Sequence, residues 1–456
     1  MATSPSRTIA FEVLRRVEAE GAYASDVLHD ALGASVKAAD AALATELTLG
    51  VLRWRRLLDC LLERHLKKPA DRLDLPVALA LRMGIYQLRF LAKIPPRAGV
   101  NESVELVKRA RKTSAAALVN AVLRKAASEA STPAEKLLLP NLQPAERLAI
   151  LHSHPTWMVE RWLSRFGEAQ ATALLAANNE RPRLSCVIHE PDRRQEILDE
   201  FESAGMRVEP GVLLKDALSV SGGSPTKTHA FRNGLISIQD EASQAVPLLL
   251  GVQPGDRVLD LCAAPGGKTY TLSRAAGSNG IVIAADRYAH RLRAARVQFE
   301  RLKLTGVHLV ALDAEQPLPF NEQFDRILVD APCSGTGTLA RHPEIRWRLQ
   351  PEQLGEFHRL QVRMLRNALA ILAPGGRLVY STCSIEPEEN DAVVAEVLRG
   401  EPLVRRVAAG VMAESIKPHT AEGVDARALF AGGGCFRTSP AVQHTDGFFA
   451  AAFEHA

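Results

Sequence analysis

Five short apolar runs, separated by stretches of helical character, occupy the second half of this 456-residue sequence. The runs are Val258–Cys262, Ile281–Ala285, Val307–Leu312, Arg326–Asp330 and Arg377–Ser381. Such alternation is typical of an open, mostly parallel sheet with helices on both faces. We therefore predict an α/β, Rossmann-like domain over residues 240–456, closed by a final pair of strands at Cys435–Arg437 and Gly447–Ala450.

The first 127 residues have a different pattern, because their apolar positions recur at spacings of three and four. One such stripe is Leu43, Leu47, Val51, Trp54, Leu58 and Leu61. This period predicts helices that pack through one face. We predict an all-α bundle over residues 1–130, a linker over the proline-containing residues 131–150, and a small α/β subdomain over residues 151–239.

Charge is concentrated in the helical third of the sequence. Residues 1–150 contain 23 Lys and Arg against 16 Asp and Glu, a net charge of +7, whereas the remainder carries −3. The basic clusters are Arg53–Arg56, Lys67–Lys68 and Lys108–Lys112. Each cluster alone is compatible with a solvated helix face, but the asymmetry of the whole segment favours a polyanionic partner, most simply RNA.

The loop after the first α/β strand is the strongest candidate for binding a cofactor. It runs from Cys262 through Ala263, Ala264, Pro265, Gly266 and Gly267 to Lys268 and leads into a predicted helix. The two glycines let a ligand approach the backbone closely. The loop matches neither the phosphate-binding GxxxxGK[ST] pattern nor the dinucleotide-binding GxGxxG pattern, so both of those site types are disfavoured.

Three acids at successive strand ends indicate which ligand the loop binds. Asp286, Asp313 and Asp330 end or follow the second, third and fourth strands, where they face a single cleft. In that position Asp286 accepts hydrogen bonds from ribose hydroxyls and Asp313 reaches an adenine amino group. A ligand with ribose and adenine but no phosphate to neutralise is S-adenosylmethionine, which we predict as the cofactor.

Two cysteines lie on polar loops at the same predicted sheet edge. Cys333 follows the fourth strand and Cys383 follows the fifth. Carbon 5 of a pyrimidine becomes nucleophilic only after a thiolate has added to carbon 6. Asp330 is placed to bond or protonate ring nitrogen 3 and so to stabilise the developing charge. The pattern predicts carbon methylation, but position alone does not say which cysteine attacks.

The motifs Asp260–Thr269, Asp330–Gly337 and Ser381–Asn390 resemble those of the RNA cytosine-5 methyltransferases of the RsmB/NOP family. Leu81–Leu88, Val100–Lys108 and Leu118–Arg124 resemble the NusB-type RNA-binding bundle. The combination is similar to the bacterial RsmB type, which methylates 16S rRNA, and it implies a class I methyltransferase fold for the C-terminal domain. The similarity spans essentially the whole chain.

The resemblance implies a role for each matched position. Cys262 to Lys268 are implied to hold S-adenosylmethionine, with Asp286 on the ribose, Asp313 near the adenine and Asp330 beside both cofactor and base. Cys383 is implied to be the nucleophile. Cys333 is implied to assist release of the methylated product.

Other functional classes stay open or are disfavoured at this point. Methylation of tRNA, and RNA binding without catalysis, are the two alternatives to rRNA methylation. No run of 18 apolar residues predicts a membrane span, and no apolar core near the N-terminus predicts a secretory signal. The six cysteines form no CxxC pair, so we expect no metal site and a reducing cytoplasmic location. No heptad pattern demands a dimer, so we expect a monomer. The resemblance implies small-subunit rRNA as its partner.

Overall fold

The computed structural model describes residues 3–33 and 36–455. The chain forms two compact units. The helical unit comprises Met1–Glu180 and Leu339–Arg348, and the α/β unit comprises Arg181–Thr338 and Leu349–Ala456. A ten-residue segment from within the second half of the sequence is therefore part of the helical unit.

The helical unit contains nine helices from its first segment and one from its second, among the residues described. They are α1 (Pro5–Glu20), α2 (Ala24–Ala31), α3 (Ala38–Glu63), α4 (Leu75–Phe90), α5 (Pro96–Arg109), α6 (Ala116–Ser128), α7 (Ala134–Leu137), α8 (Pro144–Leu151), α9 (Thr156–Ala177) and α15 (Ile345–Arg348). In the predicted stripe, Leu47, Val51 and Leu58 are fully buried, and Leu43 and Trp54 pack against the same core. The prediction of an all-α bundle is confirmed.

The segment predicted to be a linker is structured instead. Residues 131–150 contain α7 and most of α8, and Leu137, Leu138 and Ile150 are buried in the core of the helical unit. The prolines favoured a linker, but Pro144 occupies the first turn of α8. At that position a helix does not use the backbone N–H that proline lacks, so proline is compatible with the helix. Helix α9, predicted to belong to the small α/β subdomain, also lies in the helical unit.

The α/β unit begins with a small antiparallel sheet of four strands in the order β2-β3-β1-β4. Its elements are β1 (Leu184–Ile188), α10 (Arg194–Ser203), β2 (Arg207–Pro210), β3 (Ala217–Ser221), α11 (His229–Arg232) and β4 (Ile236–Ile238). Cys186, Phe201 and Ile236 are fully buried on one side of this sheet. Strand β2 is polar and almost wholly exposed, so its sequence carries no apolar pattern typical of a strand.

A larger sheet of eight strands follows, with β10-β12-β9-β8-β5-β6-β7 in order and β11 paired to β12. Its strands are β5 (Arg257–Asp260), β6 (Ile281–Asp286), β7 (Val307–Ala311), β8 (Phe324–Asp330), β9 (Leu372–Thr382), β10 (Val404–Arg406), β11 (Phe436–Arg437) and β12 (Phe449–His455). Strands β5 to β9 are parallel, whereas β12 runs antiparallel to β9. The predicted parallel sheet and closing strands are therefore confirmed.

Helices cover the large sheet. They are α12 (Glu241–Leu248), α13 (Gly267–Ala276), α14 (Ala289–Arg301), α16 (Gln353–Leu369), α17 (Asp391–Gly400) and α18 (Ala409–Ile416). Two apolar clusters, one including Leu272 and Met412 and the other including Val362 and Val393, fix the sheet between these helices. All five parallel strands end at one edge, which is where the candidate site lies.

Candidate active site

The loop Cys262–Lys268 joins β5 to α13 and is shaped by contacts with its neighbours. The backbone N–H of Ala263 donates to the carbonyl of Ala285 at 2.8 Å, and the Arg291 guanidinium donates to the carbonyl of Ala264 at 2.9 Å. Gly266 has φ of 107°, and a Cβ there would lie 2.5 Å from the ring of Phe299. Only glycine fits this position, so the tight turn follows from the sequence.

A cavity of about 280 Å³ opens beside the loop. The whole run from Cys262 to Lys268 lines it, together with Asp330. Further lining residues come from β4, the turn after it, α12 and α14, and they include Gln239, Ser243, Gln298 and Arg301. The structure thus brings the predicted loop and Asp330 to one cavity. Asp286 and Asp313 are not among its lining residues.

Asp286 and Asp313 lie at or just after the ends of the next two strands, as predicted. The Asp286 side chain is 2% exposed; its Oδ1 accepts from the Tyr288 N–H at 2.9 Å and its Oδ2 lies 3.1 Å from the Arg291 guanidinium. Asp286 Oδ2 is buried and accepts no hydrogen bond of good geometry from the described residues, so its partner here is the Arg291 charge. Asp313 pairs with Arg287 at 3.5 Å.

Asp330 ends β8 and forms the charged centre of the site. Its Oδ1 accepts from the Ser381 hydroxyl at 2.7 Å and its Oδ2 accepts from the Lys268 ammonium at 2.7 Å. Burial alone would lower the pKa of Lys268, but the Asp330 carboxylate outweighs it, and Asp260 and Cys383 add to the resulting rise. Lys268 therefore stays protonated and lies within electrostatic reach of a cysteine.

A second buried acid, Asp260, lies near this ion pair and adds to the negative charge around Lys268. It is 1% exposed and accepts from the Thr269 hydroxyl at 2.7 Å. Burial, opposed by that hydrogen bond and reinforced by Asp330, raises the pKa of Asp260 to about 7. Lys268 therefore pairs directly with Asp330 and lies within the electrostatic influence of a second, buried carboxyl group, Asp260.

The two predicted cysteines meet at this edge. Cys333 follows β8 and Cys383 follows β9, and their Sγ atoms are 3.3 Å apart. The contact with Cys383, together with burial, raises the pKa of Cys333 well above its usual range. Gly337 fixes the separation of the two loops, since its N–H donates to the Cys383 carbonyl at 2.9 Å and a Cβ there would meet the Gly447 carbonyl oxygen at 1.9 Å.

The remaining cysteines are packed away from this pair. Cys186 is fully buried in the small subdomain and Cys435 is buried beside the large sheet. Cys60 packs against the core of the helical unit, and Cys262 is partly buried in the cofactor loop. Cys186 is thus a core residue, and Cys60 lies at the edge of the helical core.

Sequence reasoning missed three partners of the predicted site residues. Ser381 holds Asp330, Arg291 pairs with Asp286, and Glu389 accepts hydrogen bonds from the loops of both cysteines. Ser381 and Glu389 lie inside a motif already singled out, and Arg291 follows Asp286 by five residues. The sequence shows only that these three residues are polar. That property does not tell which site residue each of them contacts.

The basic clusters differ in how exposed they are. Arg53 is 5% exposed and donates to the Ala340 carbonyl, and Arg56 donates to the His154 carbonyl. Arg55 lies 5.6 Å from the Trp347 ring centre. The Arg53–Arg56 cluster is therefore largely engaged within the helical unit, contrary to a free RNA surface. Lys67, Lys68, Lys108, Arg109 and Arg111 are exposed.

Within residues 3–33 and 36–455, no helix has the length and hydrophobicity needed to cross a membrane. Across that same part of the chain, His, Cys, Asp and Glu side chains form no group of three suited to holding a metal ion.

Family models match three consecutive regions of the chain. A model described as 16S rRNA methyltransferase RsmB/F matches residues 247–454, and a NusB family model matches residues 4–128. A model of the ferredoxin-like domain of RsmF/B-like methyltransferases matches residues 154–227. The three matches follow the order of the bundle, the small sheet and the large sheet.

Individual proteins match over most of their length. The chain is 34% identical to the "Probable ribosomal RNA small subunit methyltransferase B" of Bacillus subtilis over 400 residues, covering 87% of this chain and 88% of that protein. It is 36% identical to the "Ribosomal RNA small subunit methyltransferase B" of Pseudomonas putida over 389 residues, with 83% and 86% covered. The crystal structure of PH0851 has the same fold, with a TM-score of 0.81, 24% identity and coverage of 100% and 99%.

Proposed function

This chain belongs to the RsmB/F family of 16S rRNA methyltransferases, and we propose that it methylates carbon 5 of a cytosine in 16S rRNA with S-adenosylmethionine as donor. The observation that carries the proposal is the pair of thiols, Cys333 and Cys383, 3.3 Å apart at the carboxyl edge of the sheet. Methylation of an exocyclic nitrogen or of an oxygen requires no thiol, whereas methylation of carbon 5 does.

The cofactor fits the residues present. The loop Cys262–Lys268 offers backbone without bulky side chains at Gly266 and Gly267. We assign Asp286 to the ribose and Asp313 to the adenine on the family resemblance. When bound, S-adenosylmethionine supplies the methyl group. These residues would hold it, and Asp330 would lie between the cofactor and the target base.

We assign Cys383 as the nucleophile, and the surrounding charges support that role. The Cys383 thiol gives up its proton to a base, and the resulting thiolate adds to carbon 6 of the cytosine. The electron pair of the 5,6 double bond then moves toward carbon 5 and ring nitrogen 3. Lys268 and Asp330 form an ion pair at 2.7 Å. Through this pair, ring nitrogen 3 can take a proton during addition and return it when the sulfur leaves. Carbon 5 then takes the methyl group and loses its proton to a base, and the bond between sulfur and carbon 6 breaks.

We assign Cys333 to that last step. Its raised pKa keeps the thiol protonated. A neutral S–H 3.3 Å from Cys383 donates to the departing thiolate and makes it a better leaving group. Because an A-form helix hides carbon 5, the target cytosine must be single-stranded or flipped out of its helix. The exposed basic residues of the helical unit would hold the RNA.

The experiment that tests the proposal incubates the protein with labelled S-adenosylmethionine and, in parallel, unmethylated 16S rRNA, assembled small-subunit particles and a tRNA pool. The RNA is digested and the modified nucleoside is identified and mapped. We expect 5-methylcytidine in 16S rRNA or in the particle. Label confined to tRNA would overturn the substrate, and label in a nucleoside other than 5-methylcytidine would overturn the chemistry. Binding of RNA without any transfer would favour a binding protein.

A further inference from the structure

One buried carboxylate, that of Glu389, is hydrogen-bonded to the loops of both cysteines. Glu389 is fully buried. Its Oε1 accepts from the backbone N–H of Ser334 at 2.8 Å and from the Gln361 amide at 3.1 Å. Its Oε2 accepts from the Ser384 hydroxyl at 2.5 Å and from the Ser334 hydroxyl. Ser334 and Ser384 each directly follow a cysteine, so the carboxylate binds the residue next to each thiol.

This arrangement is complete in hydrogen bonds. A carboxylate offers about four acceptor positions, and Glu389 receives four donors from three residues. The Ser334 and Ser384 hydroxyl oxygens are 3.0 Å apart and converge on the same carboxylate oxygen. Burial raises the pKa of Glu389 above its usual value, while the serine and glutamine donors oppose that rise. Such a network has one low-energy geometry, because any displacement leaves a buried acceptor without a donor.

The two loops need such a connection, because the sheet no longer aligns them. Strands β8 and β9 are paired in register up to Asp330 and Ser381, but beyond these residues each backbone turns into its own loop. Of the backbone hydrogen bonds between the described residues of these loops, Gly337 N–H to the Cys383 carbonyl reaches a cysteine directly. Among side chains, Thr336 contacts Ser384 and Ile385 of the Cys383 loop, and Glu389 binds the residue that follows each cysteine.

We propose that Glu389 is a positioning residue that holds Cys333 against Cys383 and thereby controls release of the methylated RNA. The inference rests on the proposed function, since it concerns the same two thiols. Addition to carbon 6 requires only Cys383 and the Lys268–Asp330 pair. Release requires in addition the Cys333 thiol at hydrogen-bond distance, so a displacement of the Cys333 loop affects release more than addition.

The test compares Glu389→Ala, Glu389→Gln and wild type on unmethylated 16S rRNA with labelled S-adenosylmethionine. Glu389→Gln keeps the shape and one carbonyl acceptor, whereas Glu389→Ala removes all four hydrogen bonds that the carboxylate accepts. Glu414→Gln, at an exposed glutamate of the same unit, is the matched control. The readouts are the first turnover, the steady-state rate, the affinity for S-adenosylmethionine and the covalent RNA–protein adduct retained on a denaturing gel. Cys333→Ala serves as the reference for adduct accumulation.

We expect Glu389→Ala to retain a first turnover, to accumulate adduct and to lose on the order of a hundredfold in steady-state rate, as misplacement by about 1 Å does. Glu389→Gln should lose about tenfold in steady-state rate, because its neutral amide weakens the hydrogen bonds that the carboxylate accepts. Affinity for the cofactor should not change in either variant. If Glu389→Ala does not fold, Ser384→Ala removes one tether and should show the same adduct accumulation on a smaller scale.

The outcomes separate the two proposals. If wild type forms no 5-methylcytidine, the proposed function fails and the inference fails with it. If wild type forms 5-methylcytidine and the Glu389 variants release RNA at the wild-type rate, only the inference is overturned. If the first turnover, the adduct and the cofactor affinity all fall together, Glu389 is merely structural and the inference is likewise overturned.

Discussion

The two units of this protein both bury charge, but they surround it differently. In the helical unit, Arg346 is fully buried, and its guanidinium donates to the carbonyls of Ser153 at 3.1 Å and Asn178 at 3.0 Å and to the Asn179 side chain at 2.8 Å. In the α/β unit, Lys268 and Asp330 are paired beside a cavity and a pair of thiols. Burial of a charge therefore does not by itself identify a functional site. What identifies one is whether the charge lies beside a cavity and reactive groups or is fully occupied by structural carbonyls.

The helical unit uses its buried arginine to hold a piece of chain that is distant in sequence. Leu339–Arg348 lies between the Cys333 loop and α16 in sequence, yet it packs within the helical unit. The Trp347 indole donates to the Leu52 carbonyl at 2.6 Å, and Arg348 donates to the Val17 carbonyl at 3.1 Å. Three consecutive side chains thus satisfy carbonyls of the bundle, which is a structural role.

The largest expected effect is on the chemistry of the α/β unit. Cys383→Ala should reduce methyl transfer by on the order of 10⁴-fold, because the nucleophile is lost. Its melting temperature should change by no more than about 2 °C, since the thiol is only partly buried. Cys333→Ala should complete a first transfer and then retain RNA as a covalent adduct. Transfer assays, calorimetry and denaturing gels measure these effects.

Cys60→Ala provides the control, because Cys60 packs in the helical unit and has no place in the reaction. Full activity of Cys383→Ala would show that the nucleophile is misassigned. A freely turning over Cys333→Ala would contradict the role in release.

The next effect should be on the stability of the helical unit alone. Arg346→Met leaves several buried carbonyls without donors, and we expect local unfolding of the helical unit to become easier by about 3 kcal/mol. Hydrogen exchange of peptides from α3 and from residues 339–348 measures this. Affinity for S-adenosylmethionine should not change, because the cofactor loop lies in the other unit.

Arg16→Met is the matched control, since Arg16 is largely exposed and pairs with Glu20 on the surface. Arg346 would have a functional and not a structural role if Arg346→Met left hydrogen exchange unaltered but reduced the rate of methyl transfer. That result would contradict the comparison between the two buried charges.

A smaller effect is expected from the exposed charges of the helical unit. Replacing Lys108, Arg109 and Arg111 together by Gln should weaken binding of 16S rRNA by about tenfold and lower the salt dependence of log Kd by up to about 2. Replacing Lys67 and Lys68 should have a weaker effect of the same kind. Filter binding at several salt concentrations measures both, and an unchanged salt dependence would place the RNA elsewhere.

The smallest effect tests a buried group without a role in the chemistry of the α/β unit. His189 lies 3.9 Å from the Tyr270 ring centre, and its Nε2 is 2.8 Å from the Ser237 hydroxyl. Burial, with Arg301 and Arg274 nearby, lowers the pKa of His189 from 6.5 to about 3. The unfolded chain therefore binds a proton below pH 6.5 that the folded protein does not, and stability falls as the pH falls from 6.5 toward 3.

The loss attributable to His189 should be up to about 1.4 kcal/mol per pH unit within that window. His189→Gln, which keeps a hydrogen-bonding partner for Ser237, should flatten the stability profile without changing methyl transfer at pH 7.5. Denaturant unfolding at pH 7 and pH 5.5 measures the difference. Equal pH dependence in the two proteins would show that His189 titrates normally.

Much of the fold could be predicted from local patterns. The stripe that includes Leu47, Val51 and Leu58 packs as a helix face, and the five apolar runs form five parallel strands. The exposed strand β2 and the helices α7 and α8 could not be predicted, because β2 lacks an apolar period and the two helices are short segments among three prolines. Their structure depends on packing against residues elsewhere in the chain.

The candidate site shows the same division. The sequence by itself placed the loop Cys262–Lys268, the acids and the two cysteines at strand ends, because parallel strands bring such residues to one edge of a sheet. Only the tertiary structure decided that Glu389 meets Ser334 and Ser384, that Arg346 lies among carbonyls, and that Arg53 is buried. A residue's neighbours along the chain determine its local periodicity, but contacts between distant residues depend on how the elements pack.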